Sequence, residues 1–346
     1  MFEDPDFVQA IIDRWYELRT DLFSDTSLLA DIDASVFQLT NGNPDPRVGD
    51  QTNPISRNFT KWSSGSYGTD IYHWPNCFFG VGSCPASPLG GAPTYYMDTI
   101  AISKWFVQNR AAWIDSRYVT APTVVTSGTD VTITAPSGVI YYTLDGSDPR
   151  GDGGVIASGA IEYTGSFSVQ DNTVVTARAF DTSHLIAETT CWHAPATVGV
   201  LLQTPRLAIT EINYHPHDAD ADEAAAIGLD QQYIDSDNFE FLEIRNIGAT
   251  SVNLVGTRIS DGIAYTFPAL QLGAGEYVVV AKDLLHFEAR YGEGIALPTT
   301  YAGNLANGGE MIELLDLLGN TLLQVTYNDS GNWPARADGH ASTLEL

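Results

Sequence analysis

Two short stretches concentrate the side chains that do chemistry. In "YHPHDADADE", His215, His217, Asp218, Asp220 and Asp222 put imidazole and carboxylate within eight residues, a donor set that suits transition metals. The aspartates alone resemble the start of a calcium loop. Position six is Glu223 rather than Gly, however, and position twelve is Leu229 rather than Glu, so an EF-hand is excluded. A solvated acidic loop is the plainer reading, and these five residues remain the candidates for a metal site. In "YYTLDGSDPRGDGG", Asp145, Asp148 and Asp152 sit among four glycines. They could offer oxygen to calcium, but Asp-Gly after an aromatic strand is first a turn signal. The embedded Arg150-Gly151-Asp152 is read as three common loop residues in a row.

A third oddity lies in strand-like text. In "LAITEI", Glu211 shares parity with Leu207 and Ile209, and in "FEFLEI", Glu243 shares parity with Phe239 and Phe241. A carboxylate on an apolar face must be paired, hydrogen-bonded or lifted out by a bulge. If both pointed inward and met, they would form a cation site or share a proton.

Other active-site patterns are missing. No G-x-S-x-G and no H-E-x-x-H occurs. The loop at Gly80, "GVGSCP", lacks the third glycine of a phosphate-covering loop. The chain has 346 residues, with 16 basic against 43 acidic side chains and a net charge of −27. Such a charge repels nucleic acid and anionic lipid. No apolar run is long enough for a membrane span. Cys77 and Cys84 flank a Gly-rich loop and are either a small disulfide or two thiols. Cys191 reads as a buried strand cysteine.

The elements follow from periodicity. Phe7, Ile11, Trp15, Leu18 and Leu22 draw one stripe down a helix that Asp4 caps, with Pro5 at its first position. Leu28, Ile32, Val36 and Leu39 predict a second helix. Ile102, Trp105, Phe106 and Trp113 predict a third. From residue 119 the pattern alternates, in "VTITA", "VIYYTL", "SFSV" and "TVVTARAF". Val175, Ala177 and Ala179 share a face opposite Thr176 and Arg178, which suggests a half-buried antiparallel sheet. "APATVGVLLQTP" reads as a linker. The last segment is strand-rich again, with helices in "DADADEAAAIGLDQQY" and in "DLLHFEARYG", the latter ending at Gly292. The fold class is therefore mainly β: two tandem antiparallel β-sandwiches, which the resemblances below imply are immunoglobulin-like, preceded by an α-helical segment, divided at 1–118, 119–200 and 201–346.

Three resemblances follow. "IYYTLDGSDP" resembles the small C-terminal β-sandwich of chitobiases and β-hexosaminidases, an accessory module. "LAITEINYHP", "FEFLEIRNIGATSVNLVGTRISDGIAYTFP", "LGAGEYVVVAKD", "YAGNLANGGEMIELLDLLGNTLLQVTYND" and "WPARADGHASTLEL" together resemble a lamin tail domain of the bacterial secreted type. "RWYELR", "ISRNFTKW" and "ISKWFVQNRAAWIDSRY" are similar to the C-terminal end of the spore-coat kinase family CotH, beyond that family's catalytic core. The resemblances imply a piece of a longer secreted, extracellular or cell-surface protein. The function expected is non-catalytic: adhesion, anchoring or spacing, with polysaccharide or a cell-surface protein as partner and no cofactor, calcium being the exception to test. Tyr67, Tyr72 and Trp74 are candidates for stacking on sugars. The alternative is the structural tail of a CotH-like kinase.

Overall fold

The computed structural model describes residues 3–40, 95–117, 120–183, 190–340 and 342–346. Cys77, Cys84, the Gly80 loop and the aromatics Tyr67, Tyr72 and Trp74 lie outside the described residues. The chain divides into two compact units, Met1–Thr120 with Thr182–Ala194, and Ala121–Asp181 with Pro195–Leu346.

The first unit is helical: α1 (Pro5–Arg19), α2 (Asp25–Thr40) and α3 (Tyr95–Asp115). Asp4 caps α1 as its spacing predicts, its carboxylate accepting from the Asp6 amide at 2.9 Å, with Pro5 in the first turn. The covered face is not the stripe read from the sequence. Val8, Gln9 and Ile12 are buried, whereas Phe7 and Leu22 are exposed. The cause is tertiary: Gln9 accepts a hydrogen bond from Thr190 at 2.8 Å, in a segment holding buried Trp192, His193 and Ala194. Asp115 of α3 then accepts from Trp15 at 2.8 Å and pairs with Arg19 at 3.0 Å. Cys191 is half-buried and outside any strand. The buried-strand reading of it does not hold.

The second unit contains two β-sandwiches. The first joins β1 (Thr123–Ser127), β2 (Asp130–Thr134), β3 (Val139–Thr143), β4 (Ile161–Glu162), β5 (Phe167–Ser168), β6 (Thr173–Phe180) and β7 (Ala196–Val200). Its sheets run β1-β2-β5 and β4-β3-β6-β7. Alternation supplies the core: Val131, Ile133, Tyr142, Val175 and Ala177 meet between the sheets, with Tyr142 stacked on Phe167 at 4.6 Å. The predicted linker instead contributes β7, antiparallel to β6 along Thr173–Ala177. Nor is β6 half-buried. Arg178 and Thr176 are covered too, because the loop after β3 folds over them and Asp148 clamps Arg178 at 2.7 Å through two hydrogen bonds. Asp145 makes the turn, accepting from the Ser147 amide at 3.0 Å beside Gly146 at φ +81°. It does not close a tight hairpin, since the next strand, β4, begins at Ile161.

The second sandwich comprises β8 (Leu207–Asn213), β9 (Phe241–Asn246), β10 (Val252–Asn253), β11 (Arg258–Asp261), β12 (Ile263–Thr266), β13 (Gln271–Leu272), β14 (Tyr277–Ala281), β15 (Ala302–Gly303), β16 (Met311–Leu315), β17 (Thr321–Thr326) and β18 (Leu344–Glu345). Sheets β14-β9-β8-β18 and β15-β12-β11-β16-β17 enclose Ile209, Ile212, Leu242, Ile244, Ile312 and Leu314, and β10 pairs with β13. Two short helices are inserted, α4 (Ala221–Ile227) and α5 (Leu284–Tyr291). Phe287 of α5 packs on Phe241 and Val279 from the outer face of the first of these sheets, making a second small core.

The two sandwiches are joined without a spacer. Buried Asn172 donates to the carbonyls of Gln203 (2.7 Å) and Asn253 (3.1 Å) and accepts from the amides of Leu202 and Gln203, both at 2.9 Å. Gly256 has φ +71°, and a Cβ there would lie 2.9 Å from Val174 of the first sandwich. Only glycine fits so close an approach.

Candidate functional site

The outer face of β8 carries the site. Pairing slips at Thr210: Ile209 stands opposite Ile244, and Glu211, not Thr210, stands opposite Glu243. This bulge turns Glu211 outward while Ile212 stays in the core. Glu243 lies outward as well, on the face that Phe241 shares under α5. Bulging thus resolves the parity conflict at Glu211, whereas Glu243 keeps its parity with Phe241 because that side of β9 is the outer face under α5. Glu345 of β18 stands opposite Glu211 in turn. Three glutamates therefore form one row across β9, β8 and β18, where like charges directly opposite each other are unfavourable.

Two threonines hold the row. Thr210 donates to Glu243 at 2.7 Å, and Thr343 donates to Glu211. Burial lifts the Glu211 carboxyl above its usual range, the Thr343 hydroxyl draws it back, and Glu243 and Glu345 add to the rise.

Above this floor lies a cleft of about 600 Å³. Glu211, Asn213 and Glu345 come from the sheet, Thr343 from the residue just before β18, Arg290 and Tyr291 from α5, His217 from the loop after β8, and Arg336 from the turn before β18. Arg290 is fixed from several sides. Its Nε and Nη2 reach Glu223 at 2.6 and 3.0 Å, Nη2 also reaches the His217 carbonyl at 3.0 Å, and the guanidinium lies 3.6 Å over the Phe239 ring. Nη1 is buried and makes no hydrogen bond among the described residues. Burial works against the Glu223 charge, yet Arg290 and the Asp220 amide hold its carboxyl below the usual range. Burial raises the Tyr291 phenol, with Arg290 opposing. That phenol accepts from Asn213 at 3.2 Å.

The five candidate metal ligands scatter. His215 pairs with Asp338 at 2.5 Å, while His217 faces the Asp218 carbonyl at 2.7 Å. Asp220 caps α4 in a reciprocal box with Glu223, and Asp218 and Asp222 are exposed. Among the described residues no group of three His, Cys, Asp or Glu side chains is arranged to hold a metal. Of the five, only His217 lines the cleft. Sequence reasoning flagged Glu211 and Glu243 but missed Arg290, Arg336, Thr343 and Glu345. Their contribution depends on segments from three parts of the chain, and no local pattern marks them.

Sequence reasoning also missed a buried acid. Glu240 is fully buried, accepting from the Tyr301 hydroxyl at 3.0 Å and the Leu305 amide at 2.9 Å, with the Lys282 ammonium 4.0 Å away. Burial pushes its carboxyl up to about 7 despite those partners. Being sealed from solvent, it offers no surface to a substrate.

These features define a mainly β chain built of immunoglobulin-like sandwich modules, with a polar cleft on the second. Comparison with known families agrees with that class. Residues 202–329 match the family model described as Lamin Tail Domain, and residues 131–191 match the one described as Fn3 associated. No curated protein matches the chain. Among solved structures it is similar to the S-layer protein SbsC, domains 7, 8 and 9, at 13% identity and a TM-score of 0.16. The alignment covers 62% of this chain and 60% of that one. A score this low fixes neither a shared fold nor a shared role. No helix among the described residues is long and apolar enough to cross a membrane.

Proposed function

We propose that this chain is a non-catalytic extracellular or cell-surface module, in which two sandwiches form one stiff spacer and the second presents a ligand cleft. Its partner class is a polysaccharide or a cell-surface protein. The observation that carries the reading is the Asn172 junction. A buried amide with its carbonyl oxygen and NH₂ both used, across a joint where glycine is needed for contact, favours a fixed block over a hinge.

Scanning calorimetry of the whole chain tests the spacer. One transition is expected for the two sandwiches, and Asn172→Ala should split it or lower it by about 2 kcal/mol through lost buried hydrogen bonds. Two separate transitions in the unaltered protein would defeat the reading. Phosphate release from mixed nucleotides, or cleavage of a glycoside panel, would defeat its non-catalytic part. A chelator should leave the melting temperature unchanged, and a fall would mark calcium as a ligand.

A further inference from the structure

We infer that the cleft over β8 and β18 takes a small ligand bearing both an ammonium and a carboxylate, the ammonium at Glu211 and Glu345 and the carboxylate at Arg336, with the Arg290 charge behind it. The inference rests on the binding role proposed above and names its ligand chemistry.

The cation half follows from the glutamate row. Glu211 faces Glu243 on one side and Glu345 on the other. Sheet geometry spaces neighbours by about 4.8 Å, so the outer pair is roughly twice that apart. One metal ion with ligand bonds of about 2.5 Å could bridge two neighbours but would leave the third carboxylate unneutralised. Two of its three members also spend an oxygen on threonine hydroxyls. A sugar hydroxyl could donate to these oxygens but would not relieve the repulsion among them. An ammonium group does both, since it brings three donors and a positive charge.

The anion half follows from the arginines. Arg290 has a side chain only 6% exposed. Glu223 and Phe239 pin it, so it cannot swing out to find a partner. Its Nε and Nη2 are spent on Glu223 and the His217 carbonyl and its Nη1 is sealed, so it adds positive charge behind the cleft wall rather than a contact. Arg336 lines the same cleft, is exposed and makes no ion pair among the described residues. A simple anion would be repelled by the floor and a simple cation by the arginines. A molecule carrying both charges satisfies each wall, and about 600 Å³ falls within the usual range for small-ligand pockets, roughly 300–1,000 Å³.

Free α-amino acids and the end groups of short peptides share this chemistry. The whole chain should be titrated by calorimetry and ligand-observed NMR with glycine, lysine, glutamate and diglycine, each beside its Nα-acetylated and C-terminally amidated form. Saturable binding is expected for at least one unblocked compound, with blocking of either end weakening it about tenfold, the loss of one charge-assisted contact. Preference for diglycine would assign peptide ends, and preference for the free amino acids would assign those. Arg336→Ala and Glu345→Gln, both at exposed positions, should each weaken binding about tenfold with an unchanged melting temperature. The inference fails if no unblocked compound binds, if blocked forms bind equally, or if either variant binds as the unaltered chain does. A bound ligand that NMR shows being converted would keep the site but overturn its non-catalytic reading.

Discussion

The two sandwiches treat their outer faces in opposite ways. In the first, the loop after β3 lies back on the sheet, and Asp148 seals Arg178 so that the central strand is covered on both sides. In the second, α5 covers only part of the outer face through Phe287, and the rest stays open above Glu211, Asn213 and Glu345. The difference lies in the inserted segments. A loop that donates one carboxylate to a buried arginine closes a face. A helix held on one part of the face by Phe287 and tied to Glu223 through Arg290 leaves a cleft open beside it.

The strongest way to break this contrast is to unseal the first sandwich. Asp148→Ala leaves the Arg178 guanidinium buried and without its clamp, and should cost about 3 kcal/mol in denaturant unfolding. If the loss is under 1 kcal/mol, the loop does not close the face.

A smaller effect separates the sandwiches by pH. Glu240 belongs to the second, and burial raises it from 4.5 to about 7. Below the lower value both folded and unfolded chains are protonated, so the group has no effect on stability. Between the two values the folded state keeps a proton that the unfolded state releases, so stability falls as pH rises, and above about 7 the cost is complete. Glu240→Gln removes the titration. Relative to the unaltered chain it should gain stability from pH 5 to pH 8, by about 2 kcal/mol at the upper end. A gain that is flat with pH would refute burial as the cause.

The smallest effect concerns the cleft floor. Thr343→Val removes the hydroxyl that draws the Glu211 carboxyl back down. Its titration by NMR should move upward, with a stability loss of about 1 kcal/mol. A downward movement would mean that Glu211 is held by something other than that bond.

Much of the frame was legible along the chain. Asp4-Pro5 placed the start of α1, Gly292 placed the end of α5, and alternation placed β6, β8, β9 and β16. The covered side of α1 was misread, because Val8 and Ile12 are buried by a context from beyond residue 180 that no helical stripe can report. The strand at Ala196–Val200 was read as linker, since its short, Gly-containing text gains regularity only by pairing with β6. In the cleft, Glu211 announced itself by breaking parity, whereas no local pattern marks Arg290, Arg336 or Glu345.

Periodicity, caps and turn residues belong to neighbours in the chain, and so sequence alone determined the sandwiches, most of the helices and the net acidity. Which faces are sealed, where Thr210 bulges, and how residues near 211, 290 and 345 come together were settled only by tertiary packing. Burial, unpaired donors and opposed charges exist only between groups that folding brings within a few ångströms.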